Sequence, residues 1–286
     1  MNKYTQRIKK ALKIILGKKI IDILIKVKGA LTNLRRKLFE SLRKIKRKYF
    51  PDLIEESKET IYSRERFYSQ FIRPDDLVFD VGANIGNRSR PLLNLGSRVV
   101  AVEPQKECQR ILRLKFGNRI NIVPLGLGDK EGVKNFFLSN ANTISSFSTE
   151  WIESVKESSR FKDSTWSKPI KIKITTLDKL IEKYGVPEFI KIDVEGYELE
   201  VLKGLSHPVN LISYEYTVPE QVQTAVDCIS QIQNINSIIE CNFSSGESME
   251  LALDRWMSAS DFKHYICSKE FISTGFGDIY VRKKNQ

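Results

Sequence analysis

From residue 77 onward the chain alternates short, strongly apolar runs with amphipathic stretches of helical spacing. The apolar runs are LVFDV (77–81), RVVAVEP (98–104), INIVPL (120–125), EFIKIDV (188–194), NLISYEY (210–216), SIIECNF (237–243) and GDIYVRK (277–283). Helices are expected from the glycine turn after residue 81 to Gly96, over 106–116, over 177–185, in ELEVLKGL, over 219–232 and within 258–270. VKNFFL (133–138) and PIKIKITTL (169–177) read as added strands bracketing a polar loop. Strands apolar on both faces, alternating with helices, predict an α/β fold with a mostly parallel sheet covered on each side. The last two strands are separated by one helix, and the final one runs to residue 283. That arrangement predicts a Rossmann-like, seven-stranded sheet whose last strand inserts antiparallel.

Upstream the pattern is different. Leu24, Val27, Leu31, Leu34, Leu38, Leu42, Ile45 and Tyr49 recur at steps of three or four, with Leu12, Leu16 and Ile20 extending the stripe backwards. Pro51 ends it. Residues 1–50 are therefore expected to form a basic helical arm, 51–76 a helical lead-in with Ile54, Ile61, Phe67 and Phe71, and 77–286 the main domain. The formal net charge of +12 resides in the arm, which holds 17 Lys and Arg against Asp22 and Glu40. The remaining residues carry 30 basic and 33 acidic side chains, so the body is close to neutral. An amphipathic helix of one charge sign suits an anionic membrane surface or an acidic partner, or else packs on its own domain.

No apolar stretch approaches the roughly 18 residues of a membrane span, and no secretory signal is visible because lysines interrupt every apolar run near the start. Cys108, Cys228, Cys241 and Cys267 are widely spaced without a CxxC pair, which argues against a zinc site or a disulfide framework. The expectation is a cytoplasmic protein, peripheral at a membrane if the arm docks there.

The segment FDVGANIGNRSRPLLNLG sets Asp80, Gly82 and Gly86 in the pattern D-x-G-x-x-x-G. Gly82 allows a sharp turn off the strand and a close backbone approach to a ligand. Gly86 is expected to open a helix whose free N–H groups favour negative charge. A dinucleotide fold would show G-x-G-x-x-G, whereas position 84 here is Asn. A carboxylate at Asp80 suits an amino-bearing ligand better than a pyrophosphate. Glu103, 17 residues beyond Gly86, ends the second strand, where an acid can accept hydrogen bonds from a ribose diol. Together these features predict a ribonucleoside with an amino-acid tail, S-adenosylmethionine, contacted by Asp80, Gly82, Ala83, Asn84, Gly86 and Glu103.

FDVGANIG, AVEP, LGLGDKEG, ITTLDKL and KIDVEGYELEVLKGL, in this order, resemble the FkbM-type methyltransferases, closely over about residues 70–216. The resemblance implies an S-adenosylmethionine-dependent enzyme of seven-stranded Rossmann-like fold that O-methylates hydroxyls on natural products, sugars or glycans. Two positions depart from the pattern: Pro74-Asp75 replaces the usual Pro-Gly, and Arg88 and Pro91 stand in the helix after the glycine turn. The basic arm lies outside the resemblance.

Methyl transfer to a hydroxyl requires alignment of the acceptor and removal of a proton. Neither His207, before the strand at 210, nor His264, in a late helix, is placed for that. Asp193 and Glu195 end one strand and Glu215 nearly ends the next, and such strand ends face the ligand. Asp193 is expected to act as base, hold a metal or position the methionine amino group. A divalent cation would need further oxygens, with Glu195 and Glu215 as helpers. Glu195 also reads as a helix N-terminal acid favoured by the dipole. Glu198 and Glu200 read as surface or helix-face residues. Thr143, Ser145 and Ser146 match the family's serine-containing segment and would line the acceptor side. Asp129 either bonds the adenine amino group or makes a turn before Gly132.

The leading expectation is thus an O-methyltransferase acting on a hydroxyl of a sugar, glycan or lipid-linked saccharide. A nucleic-acid methyltransferase is the second reading, opposed by the near-neutral body. A cofactor-binding scaffold docked by its basic arm is the third, opposed by intact Asp80, Glu103 and Asp193.

Overall fold

The computed structural model describes residues 56–284, apart from 141 and 159. The predicted arm and the first part of the lead-in lie outside the described residues. The chain enters through α1 (Lys58–Tyr68), whose first turn is capped by Ser57 Oγ accepting from the Thr60 amide at 3.1 Å. Strands β1 (Leu77–Val81), β2 (Arg98–Val102) and β3 (Asn121–Val123) alternate with α2 (Ser89–Asn94) and α3 (Lys106–Phe116). Next come β4 (Gly126–Leu127), β5 (Gly132–Phe136), α4 (Thr149–Glu157) and β6 (Ile170–Thr175). The second half runs α5 (Leu177–Tyr184), β7 (Phe189–Ile192), α6 (Glu198–Lys203), β8 (Leu211–Thr217), α7 (Val222–Ile235) and β9 (Ile239–Ser245). It closes with β10 (Met257–Ser258), α8 (Ala259–Ile266), α9 (Lys269–Ile272) and β11 (Phe276–Lys283).

The main sheet has the order β10-β9-β11-β8-β7-β1-β2-β3, and β11 lies antiparallel between β8 and β9 as expected. It has eight strands rather than seven. The addition, β10, is a two-residue edge pairing Met257 with Cys241 and Ser258 with Glu240, too short to show a strand period. The two added strands do pair antiparallel, in a second sheet of order β4-β6-β5. The polar loop between them is not structureless: it contains α4, which buries Trp151, Ile152 and Val155. Its apolar face spans little more than one turn, and serines and charged residues surround it.

The main sheet is apolar on both faces only in part. Leu77, Phe79, Val81, Ile190, Ile192, Ile212 and Tyr214 point to a large core shared with α5, α6, α7 and α8. The opposite face begins apolar with Val78, Phe189 and Leu211, where Phe67 and Tyr68 of α1 pack. Tyr68 stands 5.9 Å from Phe189 and Phe67 5.3 Å from Tyr280, ring centre to ring centre, so residues 56–76 of the lead-in belong to the same body as the sheet. One residue pair further toward the carboxyl ends, that face turns polar: Asp80, Lys191, Ser213 and Tyr280 sit side by side across four strands.

The two departures from the family pattern fit locally. Asp75 takes φ 69, the left-handed conformation a glycine would supply in Pro-Gly. Arg88 pairs with Glu247 at 2.7 Å, tying the start of α2 to the segment after β9.

Candidate active site

β1 ends at Val81, and the chain turns through Gly82 (φ 79), Asn84 (φ 48) and Gly86 (φ 85). The Gly82 and Ala83 amides both donate to the Val102 carbonyl at 3.0 Å, which locks the turn to the end of β2. The glycines are required first by protein. A Cβ on Gly82 would lie 1.7 Å from the Asp193 carbonyl oxygen, and one on Gly86 2.3 Å from the Phe116 ring. Gly86 does not open the helix. α2 starts at Ser89, with Pro91 in its first turn, where a missing N–H costs least.

Glu103 follows β2 and is 2% exposed. One carboxylate oxygen accepts from the Asn84 amide at 2.8 Å and the other from the Gln105 amide at 2.7 Å. Burial pushes its pKa up to about 7, against the pull of those two amides. Asp80 is buried and accepts from Ser89 Oγ at 2.5 Å. Burial raises its pKa as well, while the Ser89 bond opposes the rise.

On the other side of β1, β7 ends at Ile192 and leads into a second strained turn, with Glu195 at φ 56 and Gly196 at φ 82. Asp193 and Glu195 here meet Glu215 of β8: one carboxylate oxygen from each lies within 4.8 Å of the others, the one such acidic group among the described residues. Their environments differ. Asp193 accepts from Lys191 Nζ at 2.7 Å, and although burial opposes its charge, Lys191 holds it below the ordinary aspartate range. Burial, then the neighbouring acids, raises both Glu195 and Glu215 well above theirs. The cluster is thus one anchored anion beside two carboxyls that favour their protons. Three carboxylates with water could complete the shell of a hard divalent cation, but an ammonium already sits against one of them.

The 137–166 segment covers this end of the sheet. Ser145 Oγ reaches Gln105 Oε1 at 3.4 Å, beside Glu103, and Ser146 Oγ donates to the Glu195 carbonyl at 2.6 Å. Trp151 packs so tightly on Gly196 that a Cβ there would lie 2.3 Å from the indole. Arg160 holds Glu220, beyond β8, through two 3.0 Å bonds and donates to the Val218 carbonyl at 2.6 Å. Ser145 and Ser146 are buried and act as struts, while Thr143 is exposed. Asp129 sits between β4 and β5, its carboxylate 3.1 Å from Lys134 Nζ, an arrangement that favours the turn role over the adenine contact.

Residues 80–258 match the methyltransferase FkbM domain. The chain belongs to the FkbM methyltransferase family. Over 147 residues it is 30% identical to the hexuronic acid methyltransferase AglP of Haloferax volcanii, a match covering 49% of this chain and 54% of the relative. The chain thus aligns with about half the length of that curated relative. Among solved structures, a precorrin-6y C5,15-methyltransferase from Geobacter metallireducens is 12% identical with a TM-score of 0.39, over 80% of this chain and 94% of its own. An S-adenosylmethionine-dependent O-methyltransferase from Thermotoga maritima is 12% identical with a TM-score of 0.38, covering 82% and 67% of the two chains. The chain thus carries an FkbM methyltransferase domain, and that family implies S-adenosylmethionine as the methyl donor.

Two residues of this FkbM methyltransferase escaped the sequence reading. Glu198 is not a surface residue: it is 3% exposed, and its Oε1 accepts from the Val194 amide at 3.0 Å and the Gly196 amide at 3.2 Å. An acid in the first turn of a helix just after a glycine is the pattern that could have revealed it. Lys191 is the other, and a lone lysine inside the apolar run FIKI was its visible mark. Glu200 does lie on a helix face, paired with Lys203 at 2.6 Å. The histidines stand apart from the acids, His207 Nδ1 at 3.0 Å from Asp178 and His264 Nδ1 at 2.8 Å from the Ser260 carbonyl.

Proposed function

We propose that the protein transfers a methyl group from S-adenosylmethionine to a hydroxyl of a sugar, glycan or lipid-linked saccharide, with the proton taken up by the acid cluster. The observation that carries this reading is the convergence of Asp193, Glu195 and Glu215 at the carboxyl ends of β7 and β8, next to the glycine turn.

The residues at the glycine turn suit the donor. Each Glu103 oxygen accepts one backbone amide and retains a lone pair for a ribose hydroxyl. The turn over Gly82, Ala83 and Asn84, left-handed at Gly82 and Asn84, presents backbone close to that carboxylate. Bound there, S-adenosylmethionine would supply a sulfonium-borne methyl for displacement by the acceptor oxygen, with the sulfide as leaving group and the hydroxyl proton passing to a carboxylate of the cluster. Asp193, anchored and ionised, is the group suited to accept a hydrogen bond from the acceptor hydroxyl. As the one anion of the cluster, Asp193 is also the group suited to take the proton, beside Glu195 and Glu215 whose carboxyl forms are favoured.

Acids on the floor also speak for the class of acceptor. A carboxylate or phosphate oxygen would be repelled by the Asp193 anion, whereas a neutral hydroxyl would find there an acceptor for its hydrogen. The relative whose name places it on hexuronic acid supports a sugar acceptor. The deciding experiment is turnover of methyl-labelled S-adenosylmethionine with cellular glycan, lipid, RNA and protein fractions. Label in the glycan or lipid-linked saccharide fraction is expected, stable to mild alkali as an ether. Alkali-labile label would mean a methyl ester, and label confined to RNA would mean a nucleic-acid enzyme.

A further inference from the structure

Lys191 is enclosed more completely than any other lysine among the described residues, with 1% of its surface exposed. Its partners are Asp193 Oδ2 at 2.7 Å, just past the end of its own strand, and Asp278 Oδ1 at 3.6 Å on β11. In the sheet register it lies between Asp80 of β1 and Ser213 of β8. Asp278 in turn stands opposite Glu215, one of the clustered acids. Placing an ammonium inside a sheet carries a desolvation cost of several kcal/mol, and replacing such a pair by apolar side chains is often neutral or stabilising. Stability alone therefore does not explain a lysine at a position flanked by Ile190 and Ile192.

The geometry explains it through Asp193. That aspartate follows the last residue of β7, its amide still donating to the Val81 carbonyl at 3.0 Å, and it adjoins a turn strained at Glu195 and Gly196, so its backbone is fixed and its carboxylate is what remains to be oriented. The Lys191 side chain comes up from the strand beneath and holds the carboxylate from the protein side. Asp278 meanwhile steadies the ammonium from the neighbouring strand. We propose that Lys191 is a positioning residue for methyl transfer, orienting the Asp193 carboxylate from within the sheet. This rests on the reading that Asp193 faces the acceptor.

The charged and titratable groups around the ammonium are Asp193 and Asp278, with Asp80, Arg88, Tyr68, Tyr280, Glu195 and Glu215 further out. Asp193 is the one among them that both contacts Lys191 and belongs to the cluster. Removing Lys191 should therefore raise the pH below which activity is lost, because Asp193 would protonate more easily.

The test is the Lys191→Met variant, checked for folding by thermal melt and assayed with the best acceptor fraction over a pH series. Expected are cofactor affinity within about tenfold of wild type, a fall in kcat of about 100-fold or more, and an acidic limb moved up by about one pH unit or more. A folded variant with wild-type kcat, or with reduced kcat and an unmoved acidic limb, overturns the proposal. If the variant does not fold, carboxyl-carbon NMR of the unmodified protein decides. Asp193 must titrate below an ordinary aspartate, and titration above that range removes Lys191 from the role. Asp193→Asn separates the two readings. Wild-type turnover in that variant refutes the role of Asp193 itself, whereas its loss beside an active Lys191→Met refutes only the role of the lysine.

Discussion

Gly82 lies against the main chain of Asp193, so near that a Cβ on the glycine would sit 1.7 Å from the aspartate's carbonyl oxygen. The turn at the end of β1 and the turn at the end of β7 are thus in direct backbone contact. The glycine turn and the acid cluster form one piece of structure, so displacing either moves the other. Gly82→Ala combines this overlap with a left-handed φ of 79. A loss of about 3 kcal/mol or more is expected, visible as a lower denaturation midpoint. A variant with wild-type stability would mean that the two turns can separate.

Glu103 should govern donor affinity. Glu103→Ala is expected to weaken S-adenosylmethionine and S-adenosylhomocysteine binding by on the order of 2–4 kcal/mol, read by calorimetry. Unchanged affinity in a folded variant would remove Glu103 from the site.

The same residue sets a pH dependence. Its folded pKa is raised to about 7 by burial, so ionising it is disfavoured in the empty protein. The stability it contributes is complete below the unfolded glutamate value and declines as pH rises through about 7. Ribose hydroxyls donating to the carboxylate favour the anion, so donor affinity should increase from pH 6 to pH 8. Affinity flat across that range in wild type would show that Glu103 binds the ribose in its protonated form or not at all.

Asp193→Asn should abolish transfer while leaving donor affinity within about tenfold, roughly 1.4 kcal/mol. Single-turnover assays beside calorimetry measure both. A chelator added to the wild type is expected to leave turnover unchanged, because Lys191 supplies the positive charge beside Asp193. Loss of activity with chelator, restored by magnesium or manganese, would assign the cluster to a divalent cation.

The arm can be examined by itself. Truncation before Pro51 should leave donor binding intact and abolish sedimentation with anionic vesicles. The full chain should bind anionic but not neutral vesicles, and less at high salt, since each Lys or Arg near such a surface contributes about 1 kcal/mol. A full chain that ignores anionic vesicles yet changes from dimer to monomer on truncation would assign the arm to a coiled coil.

The sequence by itself determined the order of elements, the inserted antiparallel last strand and the two acid-bearing strand ends. Each of these is written in local terms: an apolar run, a glycine or an acid at a fixed offset, and a chain connection that leaves few topologies. The family followed from FDVGANIG and KIDVEGYE, since such short motifs keep their residues together. What only the tertiary structure decided depends on residues that meet from distant parts of the chain. Gly82 and Gly86 read as ligand-facing, but their missing side chains make room for the Asp193 backbone and the Phe116 ring. Glu198 read as a surface or helix-face residue; it begins the helix, and the fold turns it inward onto the Val194 and Gly196 amides. α4 was hidden in a polar loop because its apolar positions gain meaning only when Trp151 finds Gly196. Lys191 broke the pattern of its strand, yet a lone charge in an apolar run does not name its partners. Asp278, 87 positions further on, reaches it because β11 inserts beside β8.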